Sequence, residues 1–464
     1  MEETRSKTVL VAVGLVLSLA LLLVVGLSQR VIRPALDVAT GYSAKQICSG
    51  VFVAGLPVDF VIKNDVHLSM GMLGPLLPKL TFDVTDGAQR QVRSALLGSE
   101  AVAIFGGPRG CTLLSPAGST AIPAMAPGMA PDMRQSNPVG DAPVYSPGPV
   151  LAEVFDAAFA EPADRQRRTL AVVVLHRGEL LAERYAEPVD EVTPLQGWSM
   201  NKSLMATWIG LQISRGQMTL EDSVAGSIAA VDPALAAKVD PQLNLGHLLH
   251  MESGFDFEET YFPGDDATRM LYRSPAMWRV APGNGHAHAP GDYFSYSSGD
   301  TNLAAWMWTR SLAGVDYQQW LLESFAQPLG LRLVSEADAS GIQVGSSYTY
   351  MSARDWARVG QLWLDAWHGR TSLLSKEWMW ASVTPRTANS HGNYGRGLWL
   401  NTQQYDFPGL PQNMFYASGH NGQYVAVFPE QELVVVRLGL SAGQKATGVG
   451  PLFSGLLDVF QNNQ

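Results

Sequence analysis

The stretch "GWSMNK", residues 197–202, sets a lysine three residues after a serine at the mouth of a long apolar run. In a helix each residue turns the chain by about 100°, so positions i and i+3 share a face and touch. Ser199 then sits where backbone N–H groups point outward and the helix dipole favours negative charge. Lys202 can set its amino group against that hydroxyl. A serine is a weak nucleophile until a neighbouring base takes its proton. Burial among Met200, Leu204 and Met205 would favour the uncharged amine that such a base requires. The plain alternative is a capping serine followed by a solvated lysine. Two further stretches carry chemistry. Tyr296, in "YSS" before a helix that begins near Asp300, can bring a phenol to the serine and exchange protons with it and with a leaving group. His420, Asn421 and Gly422 open a strand, where the next N–H, that of Gln423, can face a developing oxyanion together with the N–H of Ser199.

The elements that must position these residues follow from hydropathic period. "TLAVVVLHRGELLAERYA" reads as two strands joined at "HRGE". "VLAEVFDAAFAE", "NLGHLLHMESGF", "TNLAAWMWTRSLAG", "DYQQWLLESFAQPLG" and "SARDWARVGQLWLDAWHG" have helical spacing, the second ending at Gly254. "GLWLN", "QYVAVFP" and "LVVVRLGL" are strands, and a final helix lies near "GPLFSGLLDVFQ". Strands at both ends with helices between them predict one α+β domain over residues 150–464, its sheet joining the two ends. Before it, residues 28–114 read as a small mixed segment. Strands are expected at "GVFVAGLPVDFVI" and "AVAIFGG", and a strand or helix at "DGAQRQVRSALL". Residues 115–149, rich in Pro, Gly, Ala and Met, read as an extended linker.

The order S-x-x-K, Y-S-S, H-x-G resembles the serine β-lactamase and penicillin-binding-protein superfamily. The resemblance covers about residues 165–445 and extends to "GQMTLEDSV", "LGHLLHMESGF" and "APGDYFSYSSGDTNLAAW". Its class C and esterase-type branch is most similar. Within that branch "YGRGLWLN" followed by "ASGHNGQYVAVFP" resembles 6-aminohexanoate-dimer hydrolase-like proteins. The resemblance implies a β-lactamase/D,D-peptidase-like fold: an antiparallel sheet flanked by helices, with an all-helical subdomain. It also implies Ser199 as the nucleophile of an acyl-enzyme, Lys202 and Tyr296 as proton-transfer groups, and an oxyanion hole from the N–H groups of Ser199 and Gln423. Ser298, His420, Asn421, Gly422 and Trp399 fall at substrate-binding positions. His420 stands where β-lactamases usually carry a lysine cation, and Ser298 where they carry asparagine. Histidine near neutral pH is mostly uncharged, so both changes favour small esters or amides over penicillins. A D,D-peptidase or β-lactamase and a catalytically silent binding protein are the alternative readings. No cofactor is implied.

The formal charge of −10 and the lack of a basic run exclude a nucleic-acid partner of the usual kind. After a short tail at 1–8, residues 9–27 are uncharged and apolar, long enough to span most of a bilayer core of roughly 30 Å. This predicts a single-pass anchor in a bacterial inner membrane with the catalytic domain in the periplasm; a cleaved, exported form is the alternative. The two cysteines, Cys48 and Cys111, lie beyond that run, which predicts one disulfide in an oxidising compartment. His286 and His288 form an H-x-H pair with no acidic or cysteine cluster nearby, and His247 and His250 lie on another element, so a loop beside the cleft is favoured over a metal site. The acidic run "DFEETYFPGDD" reads as a solvated loop, with the rim of the substrate cleft as the alternative. Trp198 and Trp399 read as core or pocket wall.

Overall fold

The computed structural model describes residues 32–114, 148–164, 166–386, 388 and 391–461. The apolar run 9–27 and most of the linker lie outside these residues. Among the described residues no helix is long and apolar enough to cross a membrane.

The N-terminal segment is a helix packed on a small sheet. Helix α1 (Arg33–Phe52) lies against four antiparallel strands in sequential order: β1 (Thr81–Asp86), β2 (Arg90–Leu96), β3 (Ser99–Phe105) and β4 (Cys111–Leu113). The strand expected at "GVFVAGLPVDFVI" is absent. Residues 50–52 finish α1, and Val58–Val61 opens a second helix behind Pro57. The reason is close packing between the two helices. A Cβ on Gly50 would stand 2.7 Å from Val61 Cγ2, so the apolar residues are buried by helix crossing rather than by pairing in a sheet. Cys48 of α1 is bonded to Cys111 at the start of β4, with Cα atoms 6.0 Å apart.

The rest of the chain is built on a six-stranded antiparallel sheet. It contains β5 (Thr169–His176), β6 (Glu179–Tyr185), β10 (Trp399–Leu400), β11 (Phe415–Gly419), β12 (Gln423–Phe428) and β13 (Leu433–Gly439), in the order β10-β11-β12-β13-β5-β6. First and last strands of the domain thus meet at β5–β13, as the strand pattern predicts. Both faces are covered, which is why β5, β12 and β13 read as continuous apolar runs. Val172 and Val174 pack toward α2 (Pro149–Phe159) and α8 (Val449–Gln461), with Phe155 and Phe453. Ala171, Val173 and Leu175 face the other way, toward Val359 and Trp363 of α7 (Ala353–His368). Gly360 lets α7 approach: a Cβ there would stand 2.5 Å from Val434 Cγ1.

Between β6 and β10 runs a helical region that holds Ser199, Lys202 and Tyr296. It holds α3 (Met200–Ser214), α4 (Leu245–Leu249), α5 (Asp266–Arg273) and α6 (Ser298–Ser311). A small sheet, β7 (Leu195–Gln196), β9 (Thr349–Met351) and β8 (Val334–Ser335), stands behind the start of α3. Helix α4 stops at Leu249, before the expected Gly254, because Met251 turns into the left-handed region at φ 59°.

Candidate active site

The start of α3 is held in place from three sides. The Gly197 N–H donates to the Thr349 carbonyl at 2.9 Å. Asn201 donates to the Val344 carbonyl at 2.7 Å and accepts from Thr349 Oγ1 at 2.7 Å. Trp198 stands at φ 50°, a conformation rare outside glycine, and this bend turns the chain abruptly into the helix. Gly419, the last residue of β11, must be glycine for the sheet to reach that bend. A Cβ there would stand 2.2 Å from the Gly197 carbonyl oxygen.

Ser199 occupies the N-cap position of α3 yet makes no capping bond. Its Oγ instead accepts from Lys202 Nζ at 3.0 Å. Lys202 is buried, and its partners are polar rather than the apolar neighbours expected from sequence. Nζ also donates to Ser298 Oγ at 2.8 Å, lies 3.6 Å from Glu259 Oε1, and stands 4.6 Å from the centre of the Tyr296 ring. Burial, and then the negative charge of Glu259, raise the Tyr296 pKa against the opposing influence of Ser199 and Trp399, so the side chain is held as the phenol.

Glu259 is the residue that sequence reasoning missed. It belongs to the acidic run expected to be solvated, but its side chain is only 5% exposed. Its carboxylate accepts from Ser298 Oγ at 2.7 Å and from the Ser298 N–H. Ser298 therefore stands between Lys202 and Glu259, accepting from one and donating to the other. Two residues on, Tyr261 is half-buried, at φ 60°. Its hydroxyl donates to Glu259 Oε1 at 3.5 Å and its ring stacks on His420 at 5.4 Å. The signal in the sequence was Tyr261 itself, an aromatic residue in an otherwise acidic loop.

On the far side of Ser199, His420, Asn421 and Gly422 form a tight turn from β11 into β12. Asn421 and Gly422 stand at φ 61° and 84°. A Cβ on Gly422 would stand 2.4 Å from a guanidinium nitrogen of the buried Arg437, so only glycine fits. The Gln423 side chain locks the turn by donating to the His420 carbonyl at 3.0 Å. His420 lies between Tyr261 and the edge of Trp198, whose ring is 5.1 Å away. Burial pushes its imidazole down to about pKa 4, so it is neutral at pH 7. Trp399 of β10 packs 5.1 Å from the Tyr296 ring.

The other histidines do not converge. His286 accepts from the Asp240 N–H at 3.0 Å and packs on Phe255, while His288 packs on Tyr293. His247 accepts from the Asn244 N–H at the start of α4, and His250 from Arg396. Among the described residues no group of three His, Cys, Asp or Glu side chains is placed to hold a metal.

A half-buried serine that accepts from an amine, with a phenol ring beside that amine and a glycine-turned strand opposite, has the parts for acyl transfer. Comparison with known proteins fits that geometry. Residues 155–445 match the family model described as β-lactamase. No curated protein sequence matches the chain. Among solved structures it is similar to a candidate 6-aminohexanoate-dimer hydrolase from Bacillus anthracis, with 20% identity over 70% of this chain and 89% of that one and a TM-score of 0.56. It is similar also to EstCE1, a hydrolase with promiscuous acyltransferase activity, with 17% identity over 67% and 98% and a TM-score of 0.54. A penicillin-binding protein homologue from Caulobacter crescentus has 14% identity over 68% and 98% and a TM-score of 0.52. At these identities the likeness is one of fold.

Proposed function

The chain belongs to the β-lactamase family, and on that premise we propose that it hydrolyses small, uncharged esters or amides through an acyl-enzyme on Ser199. The observation that carries this reading is Ser199 Oγ accepting from the buried Lys202 Nζ at 3.0 Å, with the Tyr296 ring centred 4.6 Å from that nitrogen.

In the proposed reaction Lys202 acts as the amine and takes the Ser199 proton while Oγ bonds to the substrate carbonyl carbon. The ammonium so formed faces Glu259 Oε1 at 3.6 Å, so the new charge meets an opposite one. At an effective dielectric near 20, a pair about 4 Å apart attracts by about 4 kcal/mol. The oxyanion is received by the N–H groups of Ser199 and Gln423. As the C–O or C–N bond breaks, the leaving group takes the Tyr296 phenol proton. Tyr296 then recovers a proton from the water that attacks the acyl carbon, and Lys202 returns its proton to Ser199 as the acid departs. The balance is one water consumed, with acid and alcohol or amine released.

The neutral His420 supports an uncharged substrate, because it offers no fixed cation to a carboxylate. Ser298, Asn421, Gly422 and Trp399 remain the proposed lining of the substrate site, and residues 9–27 the proposed inner-membrane anchor that would hold the domain in the periplasm. The test of specificity is kcat/KM for p-nitrophenyl butyrate beside that for a penicillin. Ester turnover with weak or absent penicillin turnover is expected. Penicillin turnover at about 10⁴ M⁻¹s⁻¹ or more would replace this reading by a β-lactamase. A long-lived penicillin adduct would replace it by a D,D-peptidase.

A further inference from the structure

A cavity of about 330 Å³ opens beside the catalytic bend, between the N-terminal segment and the β-lactamase-like domain. Ala35, Val38 and Leu73 form one wall; Trp198, His420 and Asn421 form the other. The first wall lies wholly outside residues 155–445, the part that matches the family model. A segment foreign to that match therefore closes a space lined by Trp198, the residue before the proposed nucleophile, and by His420.

The chemistry of the walls defines what fits. No Asp, Glu, Lys or Arg lines the cavity. The polar groups at its margin are largely occupied. The Tyr42 hydroxyl is bonded to Asp65 and to Ser69 Oγ at 2.7 Å, and Thr268 Oγ1 donates to Asp265, at the start of α5, at 2.7 Å. His420 is neutral at pH 7. A charged ligand would lose its hydration here without a partner, whereas an alkyl chain gains about 0.8 kcal/mol for each CH₂ removed from water. One polar group is left open: Asn421 is 7% exposed and its side-chain nitrogen has no hydrogen-bond partner. Buried donors are rarely left unmatched, so this one is free for an acceptor on a ligand.

The wall is also firmly built. Gly41 of α1 lets the helix close on α5, since a Cβ there would stand 2.5 Å from the Tyr272 carbonyl oxygen. Lower in the same helix, the buried Glu336 of the catalytic domain accepts from Lys45, from Ser49 Oγ at 2.8 Å and from the Cys111 N–H at 2.6 Å. The Cys48–Cys111 bond ties α1 to β4 beside that carboxylate.

We propose that this cavity is a subsite for an uncharged alkyl or acyl chain of the substrate, so that the N-terminal segment selects substrates by apolar length. The proposal rests on Ser199 as the nucleophile and adds the class of group that lies beside it. Hydrolysis of p-nitrophenyl acetate and p-nitrophenyl octanoate tests it in the parent protein, in Ala35→Trp, which fills the cavity, and in Leu73→Glu, which charges it. The parent should favour octanoate by about tenfold or more in kcat/KM, and each variant should lower that ratio by about tenfold, the scale of a few methylenes in an apolar pocket. A fluorophosphonate label on Ser199 in each variant reports that the nucleophile is intact. A parent ratio near one, or variants that keep the parent ratio, overturn the subsite while leaving the hydrolase reading in place. If neither ester is turned over and Ser199 takes no label, the hydrolase reading fails, and calorimetric titration with octanamide decides the subsite alone. Saturable binding that weakens by about tenfold in Ala35→Trp supports it, and absent or equal binding overturns it.

Discussion

The charge balance of the site turns on Glu259. Lys202 and Glu259 are both buried, 3.6 Å apart, and joined through Ser298. In Glu259→Gln the Ser298 N–H keeps an acceptor, but the ammonium formed during acylation loses its counter-charge. We expect kcat on p-nitrophenyl butyrate to fall by about ten- to a hundredfold, in the range of a lost charge-stabilising group, with thermal unfolding changed little. An unchanged kcat would mean that the carboxylate has no part in acylation. His420 is the second telling residue. His420→Lys should raise the ratio of penicillin to p-nitrophenyl butyrate turnover, because an ammonium adds several kcal/mol of attraction for a carboxylate about 4 Å away at an effective dielectric near 20. No change in that ratio would separate His420 from substrate choice. The grouping of Ser199, Lys202 and Tyr296 was legible in sequence because S-x-x-K and Y-S-S are local spacings on or just before helix starts. Glu259 was not, since its partners Lys202 and Ser298 are 57 and 39 residues distant and meet it only in the folded chain. An acidic run read alone resembles a solvated loop.

Helix α6 carries its own pH dependence. Asp300, in its first turn, accepts from Ser253 Oγ at 2.8 Å, while its second carboxylate oxygen is buried without a partner. Burial raises its pKa to about 7, against the hydrogen bonds from Ser253 and Ser297. The folded protein therefore holds this proton where the unfolded chain, near pKa 4, has released it. Stability from this group is complete below about pH 4 and is lost as pH rises toward 7. Asp300→Asn should flatten that loss: between pH 5 and pH 8 its Tm should fall less than that of the parent. Equal falls would show that Asp300 does not titrate in this window. The large elements themselves were readable. The hairpin β5–β6, strands β12 and β13, and helices α2, α6, α7 and α8 follow the expected periods, because each buries a continuous face or two. Residues 50–62 misled because Val, Phe and Ile favour strands only where a sheet is there to pair with. Here Gly50 admits Val61, and two helices cross instead.

At the scale of the molecule the N-terminal segment and the β-lactamase-like domain line one cavity between them. The Cys48–Cys111 bond closes a loop with 63 residues of separation. By the chain-entropy model such a loop contributes about 4 kcal/mol. Cys48→Ala with Cys111→Ala should lower the unfolding free energy on that scale in denaturant titrations, and an unchanged midpoint would contradict it. The pairing was expected from compartment logic, but the packing of α1 over the catalytic bend was not, because nothing local in residues 33–52 names a partner some two hundred residues away. The expectations about turnover depend on Ser199 as the group that carries the acyl chain. The most direct measurement is peptide mass spectrometry after exposure to a fluorophosphonate and, separately, to p-nitrophenyl butyrate quenched in acid. The account predicts one added mass from each reagent on the peptide containing Ser199, and none in Ser199→Ala, which should stay folded while losing several powers of ten in turnover. Modification of another residue, or labelling and turnover that survive in Ser199→Ala, would contradict it.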